Sequence, residues 1–79
     1  MDELIGVIKL FSGNFAPQGF MECNGQILPI NQYQAVYAIL GNRYGGDYQS
    51  MTFALPKLTP SDENMRYIIC VEGIYPPRP

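Results

Sequence analysis

The hydrophobic residues of this chain fall into short runs that are separated by glycine, proline and polar residues. Residues 4–11 are rich in aliphatic and β-branched side chains and end at a Ser-Gly-Asn turn, a pattern typical of a strand. Residues 67–71 form a continuous apolar run of strand length, which is typical of a strand buried on both faces. We therefore predict a first strand over 4–11 and a central strand over 67–71.

A third apolar stretch is bounded by residues that begin and end helices. Asn31 can cap a helix with its side-chain oxygen, while Gln34 can reach back to the amide of the cap. Gly41 provides the glycine that commonly ends a helix. Nearly all residues between these positions are apolar. The pattern predicts one short helix over about residues 32–40, which must be covered on nearly every side.

The dipeptide Asn24-Gly25 is a strong signal for a hairpin, because both central residues of a type I′ turn need positive φ. We expect this turn to join a strand over 20–23 to one over 26–28. Pro56 cannot donate a hydrogen bond to a sheet. It therefore restricts the extended segment 52–58 to a sheet edge or to polyproline-like backbone.

The chain ends in a proline-rich segment, Gly73–Pro79, which favours a stiff, extended tail. Together the elements predict the α+β class, with a small, mostly antiparallel β-sheet, one short helix and a Pro-rich C-terminal tail. There is no internal repeat, and we expect residues 1–79 to form a single domain.

Size and charge narrow the range of partners. A chain of 79 residues buries only about 60% of its unfolded surface, so a partner subunit would add stability that the isolated chain lacks. The net charge is −2 and the five basic residues are scattered, which makes nucleic acid an unexpected partner. The apolar runs are too short for a membrane span, and the acidic first residues do not resemble a secretion signal.

The residue types needed for common catalytic and metal sites are scarce. The chain has no histidine, which excludes Ser-His and Cys-His pairs. Cys23 and Cys70 are too few for a zinc site and lie in apolar stretches, so we expect buried free thiols. We therefore expect no enzyme activity, no cofactor and no metal.

Aromatic and planar polar side chains alternate in the segment that follows the predicted helix. This segment is either an ordinary surface connection or a contact site for a sugar or polymer, and its composition does not decide between them. A sugar ring could stack on the aromatic rings while the amide and carboxylate groups bond its hydroxyls. The candidate ligand or partner contacts are Arg43, Tyr44, Asp47, Tyr48 and Gln49.

Several short motifs occur along the chain in a distinctive order. They are Ile5-Gly6 to Phe11, Gly13–Pro17 with Gly19-Phe20, Cys23–Gln26 with Leu28–Ile30, Leu40-Gly41, Tyr44–Asp47, Thr52–Pro56, Tyr67–Val71, Gly73–Pro76 and Arg78-Pro79. Together they resemble one known family, the phage tail collar domain, whose signature also occurs in the microcystin-dependent proteins. The likeness covers most of the chain, and its C-terminal part resembles the end of those longer proteins.

The chain departs from the longer relatives after the Phe-Ala-Leu-Pro motif. In those relatives this motif leads into a Gly- and His-containing insertion that can carry an exposed tip, and some bind metal through its histidines. Here Leu58 is followed within a few residues by the C-terminal strand. The resemblance therefore implies a minimal version that lacks the insertion and its metal ligands.

The resemblance implies a structural or binding module of a phage tail fibre, a baseplate or a phage-derived contractile injection apparatus, involved in tail assembly or host attachment. Such a protein would be assembled in the bacterial cytoplasm and would act in the virion tail or injection particle. Its partners would be further tail or fibre proteins and a host-surface glycan. The alternative is a free, lectin-like carbohydrate-binding protein that uses the loop 42–53.

The amount of apolar surface also predicts association. A small domain has too few layers to cover an apolar helix and two strands that are apolar on both faces. We expect a homo-oligomer, with a trimer favoured by the resemblance to tail fibres, or tight binding to another tail protein. The candidate subunit contacts are Phe11, Tyr33, Tyr37 and Ile74.

Overall fold

Two small antiparallel sheets and one α-helix form the structure, a computed structural model that describes residues 3–78. This confirms the predicted α+β class. Met1, Asp2 and Pro79, which the single-domain and tail predictions include, lie outside the described residues. The strands are β1 (Ile8–Phe11), β2 (Phe20–Glu22), β3 (Ile27–Pro29), β4 (Thr52–Ala54) and β5 (Arg66–Cys70); the helix α1 is Gln34–Leu40, and short 3-10 turns cover Ile30–Gln32 and Tyr48–Ser50.

The larger sheet is organised around β5, which lies between β1 and β2 in the order β1-β5-β2. Ile69 is opposite Ile8 on one side and Met21 on the other, and all three side chains share one face of the sheet. Ile68, Ile69 and Cys70 are all buried. The prediction of a central strand buried on both faces is confirmed.

The first strand is shorter than predicted, because the chain turns within the segment 4–7. The amide of Val7 donates to the carbonyl of Leu4 at 3.2 Å, which closes this turn. Leu4 then pairs in parallel with Ile74. The amide of Ile5 donates to the Ile74 carbonyl at 2.9 Å, and the amide of Ile74 donates to the carbonyl of Glu3 at 2.9 Å. The N-terminal segment thus ties down the start of the C-terminal tail.

The predicted Asn24-Gly25 hairpin is wrong. β2 pairs with β5 and β3 pairs with β4, so the segments on the two sides of this dipeptide belong to different sheets. Gly25 has a φ of +75°, but Met51 is the one non-glycine residue with positive φ among residues 3–78, so Asn24 does not complete a type I′ turn. Asn24 instead forms a bridge with Lys57. Pairing with distant segments outweighs the local turn preference here.

The helix is confirmed, but it begins later than predicted. Its N-cap is Tyr33, with no side-chain hydrogen bond to the cap, and Asn31 lies in the preceding 3-10 turn. This turn is held by the amide of Ile30, which donates to the carbonyl of Met51 at 2.9 Å. The predicted capping by Asn31 is therefore wrong. At the other end Gly41 is the C-cap, as predicted, with a φ of +60° and its amide donating to the Tyr37 carbonyl.

The core lies between the two sheets and the helix. Phe53 of β4 is fully buried, and the ring of Tyr37 packs edge-on against it at 5.5 Å between centroids. β4 ends before Pro56, as expected because proline has no amide hydrogen to donate to a sheet. The side chain of Pro56 is buried. The core residues are Ile5, Cys23, Leu28, Ile30, Val36, Leu40, Phe53, Leu55, Ile69 and Cys70.

Both cysteines are free and buried in this core, as predicted. Burial raises the pKa of the Cys23 thiol to about 11, and the nearby charge of Glu22 adds to this effect. Burial also raises the pKa of Cys70, whose thiol donates to the Glu72 carbonyl at 3.3 Å. Because the thiolate is the reactive form, both groups are protected by burial and by the lack of ionisation.

We expect both thiols to react slowly with a thiol reagent at pH 8 in the native protein and quickly after unfolding in denaturant. Quenched samples analysed by intact mass would measure the number of modified thiols over time. Cys23→Ala and Cys70→Ala variants assign each rate to one residue. Rapid modification of the native wild-type chain would contradict the buried placement.

Candidate functional site

The loop that follows α1 is fastened by Asn42. Its amide nitrogen donates to the carbonyl of Thr52 at 3.1 Å and to the carbonyl of Gly45 at 3.4 Å. Its side-chain oxygen accepts a hydrogen bond from the hydroxyl of Tyr37 at 3.0 Å. One side chain therefore joins the helix, the loop and β4. Sequence analysis did not identify Asn42 as important, because a single asparagine after a glycine is common in loops.

Asp47 closes the second half of the loop. Its backbone exchanges two hydrogen bonds with Thr52, at 3.1 and 3.0 Å. Its carboxylate accepts from the amide of Gln49 at 3.0 Å and from the hydroxyl of Ser50 at 3.2 Å, which caps the 3-10 turn. Met51, with a φ of +56°, then reverses the chain into β4. These bonds fix the backbone of the loop before any ligand arrives.

Arg43 has an intramolecular role at the end of the helix. Its Nε donates to the carbonyl of Leu40 at 3.1 Å and its Nη2 donates to the carbonyl of Ile39 at 2.6 Å. A cation at this end also interacts favourably with the helix dipole. Arg43 and Asp47, both predicted as ligand contacts, thus hold the loop in shape through the bonds just described.

The other predicted ligand contacts are exposed. Tyr44 and Tyr48 have 49% and 67% of their surface exposed, and Gln49, which follows Tyr48 in the sequence, is also exposed. Two accessible aromatic rings and an amide on a fixed backbone can stack against a flat ligand and bond its polar groups. We refer to Tyr44, Tyr48 and Gln49 as the loop surface.

A second feature is an open cleft of about 400 Å³ on the side of β2. It forms where β2 begins, where β5 has just ended and where α1 starts. The carbonyl of Gly19 holds these strands together there, since it accepts from the amides of Val71 at 2.8 Å and Glu72 at 3.1 Å. The lining residues are Phe20, Met21, Gln32, Tyr33, Val71 and Glu72.

The predicted subunit contacts occupy different environments. Tyr33 lines the cleft, and Ile74 is exposed where it pairs with Leu4. Phe11 is half-buried and packs edge-on against Phe15 at 5.8 Å between ring centroids, while Tyr37 is half-buried against the core. Sequence analysis missed the rest of the cleft, because its lining comes from three distant segments: the β2–β5 pairing brings two of them together, and the start of α1 supplies the third.

Four further charged side chains form two ion pairs among residues 3–78. Lys9 pairs with Glu3, and hydrogen bonding to Lys9 is the main reason that the pKa of Glu3 is lowered. Arg66 pairs with Glu22 at 3.2 Å and also donates to the carbonyl of Gly13 at 2.8 Å. Within residues 3–78, no three acidic or cysteine side chains converge as metal ligands would, and no helix has the length and apolarity to cross a membrane.

The family model of the Phage Tail Collar Domain matches residues 6–61. The chain belongs to the phage tail collar domain family. It is accordingly a structural module of a phage tail and a component of the virion tail. No curated protein matches the sequence.

The matched region of this collar domain contains the whole loop surface but ends before β5. The central strand of the larger sheet and the cleft residues Val71 and Glu72 therefore lie beyond it. The more specific likeness to the microcystin-dependent proteins stays a prediction.

The close packing of the loop against β4 gives a prediction with a matched control. An added Cβ on Gly46 would collide with the backbone of Phe53 and would lie 2.7 Å from the carbonyl oxygen of Thr52. Gly41 also has positive φ, but the described residues leave 4 Å of open space around its Cβ position. Gly41→Ala should lose about 1–3 kcal/mol of stability through backbone strain alone. Gly46→Ala should lose a further ~1–3 kcal/mol through overpacking.

Denaturant unfolding of both variants measures this difference. Equal losses of unfolding free energy for the two glycines would contradict the close contact between Gly46 and β4.

Proposed function

We propose that this chain is a structural and binding module of a tail fibre, a baseplate or a phage-derived contractile injection particle, which acts in tail assembly or host attachment. The collar family match over residues 6–61 is the observation that carries the proposal. Assembly would take place in the bacterial cytoplasm. The module needs no catalytic group, cofactor or metal for this role.

Apolar surface on the larger sheet supports association with other subunits. β1 is an edge strand, and its residues Ile8 and Leu10 share one face with 38% and 46% of their surface exposed. Exposed edges with apolar side chains readily pair with another chain. A second copy, with a trimer favoured, or another tail protein would cover this surface. Phe11, Tyr33, Tyr37 and Ile74 remain our proposed subunit contacts.

The loop surface supports a second candidate function, the binding of a host-surface glycan. Tyr44 and Tyr48 are exposed, while Asn42 and Asp47 fix the backbone that carries them. A site that is ordered before binding loses less conformational entropy when the ligand arrives. Glycan binding would serve host attachment in a tail module, and it would be the whole function of a free lectin. Location in a particle distinguishes these two cases.

We expect the purified chain to self-associate at micromolar concentration or to bind a neighbouring tail protein, and to sediment with phage or injection particles from a producing cell. Analytical ultracentrifugation measures the association, and gradient fractionation of lysates locates the protein. A stable monomer that is absent from particles and binds no tail component would refute the module function.

For the glycan function, Tyr48→Ala and Tyr44→Ala should each weaken binding to a responsive glycan by about fivefold or more, if each stacked ring contributes ~1 kcal/mol. Ile27→Ala is the control, since Ile27 is similarly exposed but lies in β3, outside the loop. A glycan array followed by titration calorimetry would provide the measurement. Equal effects of all three substitutions would speak against the loop surface as the binding site.

A further inference from the structure

The cleft beside β2 has the chemistry of a groove for a proline-rich peptide. Phe20 and Tyr33 are aromatic and Met21 and Val71 are apolar lining residues, although polar atoms make up most of the surface that the cleft exposes. Glu72 is exposed and gives the cleft a carboxylate. Proline-rich segments bind in aromatic-lined grooves because the polyproline helix is already ordered and its rings pack on aromatic faces. A peptide that combines prolines with a cation would match this cleft through its aromatic side chains, its polar groups and its carboxylate.

The chain itself carries such a peptide. Residues 75–78 read Tyr-Pro-Pro-Arg, have no regular secondary structure, and follow Ile74. Tyr75, Pro77 and Arg78 are exposed. The two prolines hold the backbone near the polyproline conformation, and Arg78 supplies a cation. We refer to residues 75–78 as the tail.

The tail does not lie in the cleft of its own chain. Ile74 is held by backbone hydrogen bonds to Glu3 and Ile5 of the N-terminal segment. Val71 and Glu72, which precede Ile74 by only a few residues, line the cleft, whereas none of residues 75–78 does. The cleft is therefore open to the tail of a different copy.

We propose that the tail of one copy binds in the cleft of a second copy, with the prolines packed on Phe20 and Tyr33 and with Arg78 paired to Glu72. This contact joins two different surfaces, so it propagates around a ring or along an open filament. A closed ring of three would give the trimer favoured above. The inference deepens the proposed function, since it names the contact through which copies associate.

The first experiment compares the full chain with a chain that ends at Ile74, by sedimentation at several micromolar concentrations. The hydrogen bonds of Ile74 remain in the shortened chain, so its melting temperature should stay close to that of the full chain. We expect the full chain to form a small closed oligomer and the shortened chain to sediment as a monomer.

A charge exchange tests the predicted pair directly. An exposed ion pair raises affinity by up to about fivefold. Reversing one charge removes this attraction and adds repulsion. Glu72→Arg and Arg78→Glu should therefore each weaken association by about tenfold. The double variant should recover most of this loss. Glu63→Arg, which makes the same charge change at an exposed site outside the cleft, should have little effect.

A labelled peptide of sequence YPPRP, titrated into the shortened chain, provides a measurement that does not depend on oligomer formation. We expect saturable binding that Glu72→Arg weakens and that Glu63→Arg leaves unchanged. Displacement of the peptide by an oligosaccharide or by another tail protein, with no effect of tail removal on self-association, would assign the cleft to that other ligand and overturn the proposal.

Two further outcomes would overturn it. One is a shortened chain that associates as strongly as the full chain. The other is a double charge variant that is no better than the single variants, together with no binding of the peptide. In either case the module function would stand if the chain still sediments with particles, so the failure of the two proposals can be told apart.

Discussion

The fold depends on the burial of β5 between β1 and β2. Its backbone supplies hydrogen bonds to both neighbours, and its residues Ile68, Ile69 and Cys70 are buried. An unpaired backbone group in this interior would cost about as much as a lost hydrogen bond, so neither neighbour can be removed without a penalty. The same pairing sets the position of Val71 and Glu72 beside Phe20 and so creates the cleft. The buried position of β5 and the cleft on the surface thus both depend on the pairing of β5 with β2.

The passage between the two sheets is the second constraint. The chain leaves the larger sheet after Glu22 and enters the smaller one at Ile27. In between, Cys23 bonds to both sides: its amide donates to the Tyr67 carbonyl at 2.9 Å, and its carbonyl accepts from the amide of Leu58 at 3.1 Å. This short connection, together with the core beneath it, holds the two sheets against each other although no hairpin joins them.

Features with a strong local signal could be predicted from the sequence. The apolar run at 67–71 gave the central strand, and the glycine after an apolar stretch gave the end of the helix. The local signal of Asn24-Gly25 failed, because β3 gains more from pairing with β4 than a two-residue turn supplies. The cleft could not be predicted, since its walls depend on strand register. For the loop, composition proposed Tyr44 and Tyr48 as contacts, which stays a prediction, and it could not show the internal hydrogen bonds of Arg43 and Asp47.

The central position of β5 has a consequence for synthesis on the ribosome. β5 is made after β1, β2, β3 and β4, so β1 and β2 are synthesised before the strand that separates them exists. Until then both expose edges and apolar side chains, and the larger sheet can form only after translation of residue 70. Long-range pairing of this kind folds slowly and leaves nascent chains open to aggregation. Nascent copies that meet before β5 is complete are therefore at risk of pairing through β1 or β2 with one another instead of with their own β5.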